Sequence, residues 1–102
     1  MKAADFVGQL FLARDVTHSA HLNTRSFSKH MALGTFYDEI IDLADAFAEA
    51  YQGRHGLIGP ITLHSAKTTK NVTEFLENQL ADLEACRYDV VPKTDSSLQQ
   101  LI

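Results

Sequence analysis

Residues 21–49 read HLNTRSFSKHMALGTFYDEIIDLADAFAE, from His21 to Glu49. Two patterns overlap in this stretch. Leu33, Phe36, Tyr37, Ile40, Ile41, Ala44, Phe47, Ala48 and, just beyond, Tyr51 recur at three- and four-residue steps and make a wide apolar face, the signature of an amphipathic helix. His21, His30, Asp45 and Glu49 lie along the same run, which also carries Arg25 and Lys29. The spacing predicts a long helix from about Ser28 to Gln52. Gly34 is a mild internal weakness, and Gly53 is placed to end the helix.

Working outward, Phe6, Leu10, Ala13, Thr17 and Ala20, with Val7 and Phe11, predict a first helix over about 3–24, and Asn23 to Ser28 is a polar break. After the second helix, Gly59-Pro60 forbids a straight continuation, so residues 57–70 are irregular. Asn71, with Glu74 three positions on, resembles a capping box for a third helix over Val72 to Val90. Its buried stripe is Val72, Phe75, Leu76, Leu80, Leu83 and Cys86, and Pro92 stops it. Asp95 or Ser96, with Gln99, caps a short last piece, Leu98 to Ile102, whose apolar end docks on the body or on a neighbouring subunit. The expected fold is all-α: one domain over residues 1–102, a small antiparallel bundle of three long helices plus a short C-terminal helix.

A chain of 102 residues buries only a small core, and self-association is a natural supplement. Hydrophobic residues at 45% and charged residues at 22% are ordinary globular values. A formal net charge of -4 argues against a DNA-coating role, so nucleic acid is not an expected partner. Cys86 is the lone cysteine, which excludes an intramolecular disulfide and suits a reducing compartment. The first residues lack the apolar stretch of a signal peptide, and no run approaches the ~20 apolar residues of a membrane span. A cytoplasmic protein without a membrane partner is expected.

Two polar stripes carry the candidate chemistry. On the first helix, Arg14, His18, His21 and Arg25 fall within about 60° of one another. They are either one wall of a pocket for an anion or a metal, or snorkelling arginines beside half-buried, hydrogen-bonded histidines. On the second helix, Asp38, Asp42, Asp45 and Glu49 repeat that spacing. They can ligate a hard cation, pair with the cationic stripe, or form a solvated flank. Asp15 and His18 add a D-x-x-H pair related to the Glu-x-x-His of helical di-iron sites.

The helix junctions are basic and hydroxyl-rich in an otherwise acidic chain. Arg25, Lys29, Arg54, Lys67 and Lys70 lie there with His30, His55, His64 and several serines and threonines, Thr68 among them. A guanidinium, hydroxyl donors and a helix N-terminus together make a sensible phosphate clamp, and Tyr37, Tyr51 or Phe27 can stack on a base. Nucleophilic catalysis has little support: Cys86 reads as a small buried hydrophobe, and no G-x-S-x-G, phosphate-binding glycine loop or H-E-x-x-H occurs.

From His21 to Glu49 the chain resembles the Dps-type branch of the ferritin-like proteins. The likeness rests on His21, His30, Phe36 to Glu39, and Ala44-Asp45-Ala46-Phe47-Ala48-Glu49. It implies a ferritin-like bundle in which His21 and His30 are iron ligands and Asp45 and Glu49 are their carboxylate partners. Leu22 stands where that family usually has an aromatic residue, and the chain is short for four full-length helices. The chain also looks similar to small phage-encoded helical proteins, which implies a phage origin, action in the host cytoplasm and work against a host defence.

Two functional expectations follow. The first is a non-enzymatic homo-oligomer that sequesters an anionic nucleotide-type signalling molecule through Arg14, His18, His21, Arg25, Lys29, His30, Tyr37 and Arg54, with no cofactor required. The second is binding of iron or another divalent metal at His21, His30, Asp45 and Glu49. A structural virion role needs neither site.

Overall fold

The computed structural model describes residues 1–65 and 69–102; Lys67 and Thr68 of the basic junctions lie outside the described residues. Four helices follow in order: α1 (Ala3–Asn23), α2 (Phe27–His55), α3 (Val72–Val90) and α4 (Ser96–Leu101). The all-α expectation holds, and α3 falls on its expected span. At a rise of 1.5 Å per residue the 29 residues of α2 run about 43 Å. That is the 43 Å long axis of the molecule, so α2 is its full-length strut.

α1 and α2 form an antiparallel hairpin across the short turn Thr24–Ser26. Phe6, Val7, Leu10, Ala13, Val16 and Thr17 make the buried face of α1. They meet Leu33, Ala44 and Phe47 of α2. Phe47 is wholly buried, with its ring edge-on to Phe6 at 4.9 Å between centroids, a favoured aromatic geometry. Thr17, also wholly buried, is satisfied within its own helix by donating to the Ala13 carbonyl at 2.7 Å. Ser26 caps α2 by accepting from the Lys29 N–H at 3.3 Å.

From the far end of α2 a long crossover returns along α1. The Ile58 N–H donates to the Gln52 side chain at 3.1 Å, Ile58 and Ile61 pack on the core, and the Thr62 carbonyl passes over Gly8, where a Cβ would sit 2.5 Å from it. α3 then starts near the α1–α2 turn and ends near the start of α1. The Gln79 amide donates to the Gln9 carbonyl at 2.9 Å along the way. Both α2 and α3 therefore run antiparallel to α1. Asn71 caps α3 by accepting from the Glu74 N–H at 3.0 Å. The Asn71 N–H bonds to Thr69 instead of Glu74, so only half of the expected capping box forms.

Four details differ from the sequence reading. α2 does not stop at Gly53 but runs to His55, and Gly56 is its C-cap with φ 86° and ψ -177°. That conformation is open essentially to glycine alone, whereas Gly53 keeps helical geometry. Leu80 is 62% exposed, because α3 leans on α1 through Gln79 and Leu83 and leaves Leu80 to the side. Cys86 is half-buried. α4 begins two residues earlier than expected; Leu98 is its buried anchor, Ile102 packs on the core and Leu101 stays exposed.

Gln99 is the polar hinge of the C-terminal dock. Its side-chain amide donates to the Arg87 and Val91 carbonyls at 3.0 and 2.9 Å. The Arg87 carbonyl also accepts from the Val91 N–H at 3.3 Å, whereas the Val91 carbonyl lies past the last turn of α3, where the helix supplies no donor. Arg87 Nε donates back to Gln99 Oε1 at 2.8 Å.

The two glycines at the end of α2 are expected to respond to alanine with opposite signs. Gly53→Ala meets no atom within 4 Å and is expected to stabilise by roughly 0.5–1 kcal/mol. Gly56→Ala is expected to destabilise by about 1–3 kcal/mol, as an alanine held in a glycine-only region. Urea unfolding of both variants reads the signs.

Candidate ring cluster at the α1–α2 turn

The hairpin's closed end gathers four rings. His21 lies on the last turn of α1 and His30 on the first turn of α2, so a short turn brings residues nine apart face to face. Their rings stack at 3.7 Å between centroids, inclined by 23°. The hydrogen bonding is reciprocal: His21 Nδ1 meets the His30 carbonyl at 2.5 Å and His30 Nδ1 meets the His21 carbonyl at 2.9 Å. A carbonyl only accepts, so both Nδ1 atoms carry their protons and each Nε2 is left for another partner.

One turn back along α1, His18 stacks on Tyr37 of α2 at 4.2 Å and 16°, and Tyr37 presents its edge to His21 at 5.3 Å. Gly34 makes the approach possible, because a Cβ there would lie 2.9 Å from His21 Cε1. The outcome is an open depression of about 360 Å³, with His21, His30, Met31, Thr35, Tyr37 and Asp38 around Gly34.

Cations gather at this end. Arg25 and Lys29 are exposed at the turn and the start of α2. Lys29 shares a second depression, of about 190 Å³, with Thr69 and Lys70 ahead of α3. Arg14 is exposed further along α1, 3.6 Å from Asp15. Lys70 is legible in the sequence as a basic-loop residue, but only the fold brings it and Thr69 beside Lys29.

Other expected site residues lie elsewhere. Arg54 is 24 residues along α2 from His30, about 36 Å away, and is corrected out of the ring cluster. It donates to Asp95 at 2.9 Å, with His55 3.8 Å from the same carboxylate. Asp95 in turn caps α4 by accepting from the Leu98 N–H at 3.3 Å. Asp45 and Glu49 are exposed and lie about 22 and 28 Å along α2 from His30. One chain therefore does not assemble the His21, His30, Asp45 and Glu49 set, and no group of three or more His, Cys, Asp or Glu among the described residues is placed to hold a metal ion. No ion pair among the described residues joins Arg14 of α1 or Arg25 of the turn to the acidic stripe of α2.

The Asp95 carboxyl is displaced from its ordinary value. Partial burial pushes it up, but the Leu98 N–H, the Ser97 hydroxyl and the Arg54 charge outweigh this and hold it below the usual 3.8. A lowered carboxylate adds stability above its unfolded value and loses it as the pH falls through the folded one. Docking of α4 is thus expected to hold at neutral pH and loosen on acidification below about 3.8. Hydrogen exchange of the α4 amides reads this, and Asp95→Ala is expected to leave α4 loose at every pH.

The imidazole pair sets a second expectation. His21→Ala and His30→Ala each remove a side-chain hydrogen bond and the shared stack, and each is expected to cost about 1 kcal/mol. The double variant is expected to cost less than the sum, with a coupling of at least about 0.5 kcal/mol in a double-mutant cycle. Strict additivity would mean that the two rings act independently.

No helix among the described residues is long and apolar enough to cross a membrane. No solved structure matches the chain significantly. A phage T4 protein, the uncharacterized 14.6 kDa protein in mobD-ri intergenic region, is 40% identical over 55 residues. The match covers 54% of this chain and 43% of that protein, so the chain spans less than half of its relative. A family model described as a family of unknown function (DUF5856) matches residues 21–102, which takes in His21, His30, Tyr37 and everything after them. The chain therefore belongs to the DUF5856 family and shares it with no assigned activity.

Proposed function

We propose that this chain is a non-enzymatic, homo-oligomeric binding protein that holds an anionic nucleotide-type ligand at the α1–α2 turn and keeps it out of circulation. One observation carries the reading: in an acidic chain, His18, His21, His30 and Tyr37 converge at the same end as Arg25, Lys29 and Lys70. Rings offer a surface for a base, and forked or point cations suit phosphate. The stacked imidazoles hold each other through Nδ1, so they act as a fixed platform and keep Nε2 for the ligand. Asp38 on the wall opposes an anion and favours a base amine at that edge. Likeness to a phage T4 protein is consistent with sequestration of a host alarm signal as an anti-defence role.

The Dps-type likeness supports metal binding less well. An iron site at His21 and His30 would have to draw Asp45 or Glu49 from another copy, and Arg25 and Lys29 would oppose a divalent cation there.

Native mass spectrometry and calorimetry with ATP, cyclic AMP and a cyclic dinucleotide test the proposal. At least one is expected to bind wild-type protein. Arg25→Ala combined with Lys29→Ala, and His18→Ala combined with Tyr37→Ala, are each expected to weaken it at least tenfold, with Arg54→Ala unchanged. No binding of any of the three, or equal binding by every variant, overturns the reading.

A further inference from the structure

The flank between α2 and α3 is uncovered. Phe36 and Ile40 of α2 face Leu76, Leu80 and Leu83 of α3 across an apolar groove of about 240 Å³, floored by Phe6 and Leu10. Leu80 is 62% exposed and Leu43, one turn past Ile40, is 55% exposed. The groove's rim is acidic. Glu77 and Glu84 flank Leu80 at helical spacing and Glu39 stands one turn before Leu43, all three exposed.

The α1–α2 turn is the complement of this surface. Phe27 is 78% exposed, Leu22 67% and Met31 54%, with the exposed cations Arg25 and Lys29 among them. It is an apolar knob with a basic collar at one end of the molecule, whereas the groove is an apolar slot with an acidic rim along its side. Pairing groove with groove would bring two acidic rims together, and pairing knob with knob two basic collars. Pairing knob with groove satisfies both charges and covers both apolar surfaces.

We infer that the α1–α2 turn of one copy seats in the α2–α3 groove of another copy, Phe27 and Met31 entering beside Leu80 while Arg25 and Lys29 meet Glu39 and Glu77. Each copy then carries one knob and one groove, and the same contact repeats from copy to copy until the assembly closes. The inference rests on the homo-oligomer of the preceding reading but not on its ligand. Met31 belongs to both the knob and the ring-cluster depression, so the neighbour that takes the knob also walls that depression, which lies open in a single chain.

The test is charge reversal on the full chain, read by native mass spectrometry and sedimentation with helicity checked by circular dichroism. Arg25→Glu with Lys29→Glu makes knob and groove both acidic; Glu39→Lys with Glu77→Lys makes both basic. These exposed positions leave the core and the Glu84–Arg87 pair intact. Each variant alone is expected to associate at least tenfold more weakly than wild type. An equimolar mixture is expected to recover assembly with the two variants alternating. Leu80→Asn, uncharged and at an exposed site, is also expected to weaken association. A wild-type chain that stays monomeric at high micromolar concentration overturns the contact, whether or not it binds nucleotide. Assembly indifferent to both reversals, or variants that fail to recover on mixing, overturns it too. Assembly that follows the expected pattern without binding nucleotide supports the contact and counts against the ligand reading alone.

Discussion

The packing of α1 against α2 is the constraint on which everything else rests. Phe47 sits edge-on to Phe6 at 4.9 Å, and the buried faces of both helices converge around that contact. α3 leans on the outside of α1, and α4 is held through the Gln99 bridge to the end of α3 and the Arg54–Asp95 pair from α2. Loss of the hairpin core would leave each of these later elements without a surface. The hairpin also has two distinct ends. Its open end is closed by α4 and the Asp95 carboxylate, whereas its turn carries the stacked rings and the cations.

That polarity explains how a chain with a small core can present a chemical face. The reciprocal His21–His30 hydrogen bonds use one nitrogen and one carbonyl from each residue, and the His21 carbonyl, in the last turn of α1, has no partner within its own helix. They hold the hairpin closed at the place where two rings and their free Nε2 atoms are presented. Under the proposed binding role these histidines would serve both purposes, since the contacts that tie the two helix ends together also fix the rings in place.

Much of the fold was legible because the helix signals were local. Asn71 and Pro92 bracket α3, and the polar break from Asn23 to Ser28 precedes α2, each a signal that needs no tertiary knowledge; the structure places the cap of α2 at Ser26 within that break. Periodicity identified apolar faces but not what covers them, so Leu80 reads as core and is exposed. The glycine that ends α2 was misplaced by three residues because Gly53 and Gly56 look alike in sequence; only the backbone angle at Gly56 separates them. In the site, the His18–His21 stripe and its partners His30 and Tyr37 were readable, and Gly34 as the space that lets His21 approach was not. The Dps-type resemblance pointed to Asp45 and Glu49, but two helices meeting at a turn bring together only residues near the turn. Arg54 failed for the same reason, being at the other end of the strut. Gln99 reads in the sequence as part of the cap of α4, but Asp95 caps that helix alone and the Gln99 side chain bridges to the end of α3 instead.

Imidazole-nitrogen NMR of the purified protein, recorded free and with the nucleotide panel, addresses the central claim most directly. The account expects His21 and His30 to show protonated Nδ1 in the free protein, and their Nε2 signals and the Tyr37 ring to move on ligand addition while His55 stays still. Nδ1 atoms lacking protons in the free protein, or ligand shifts centred on His55 at the opposite end, would contradict it.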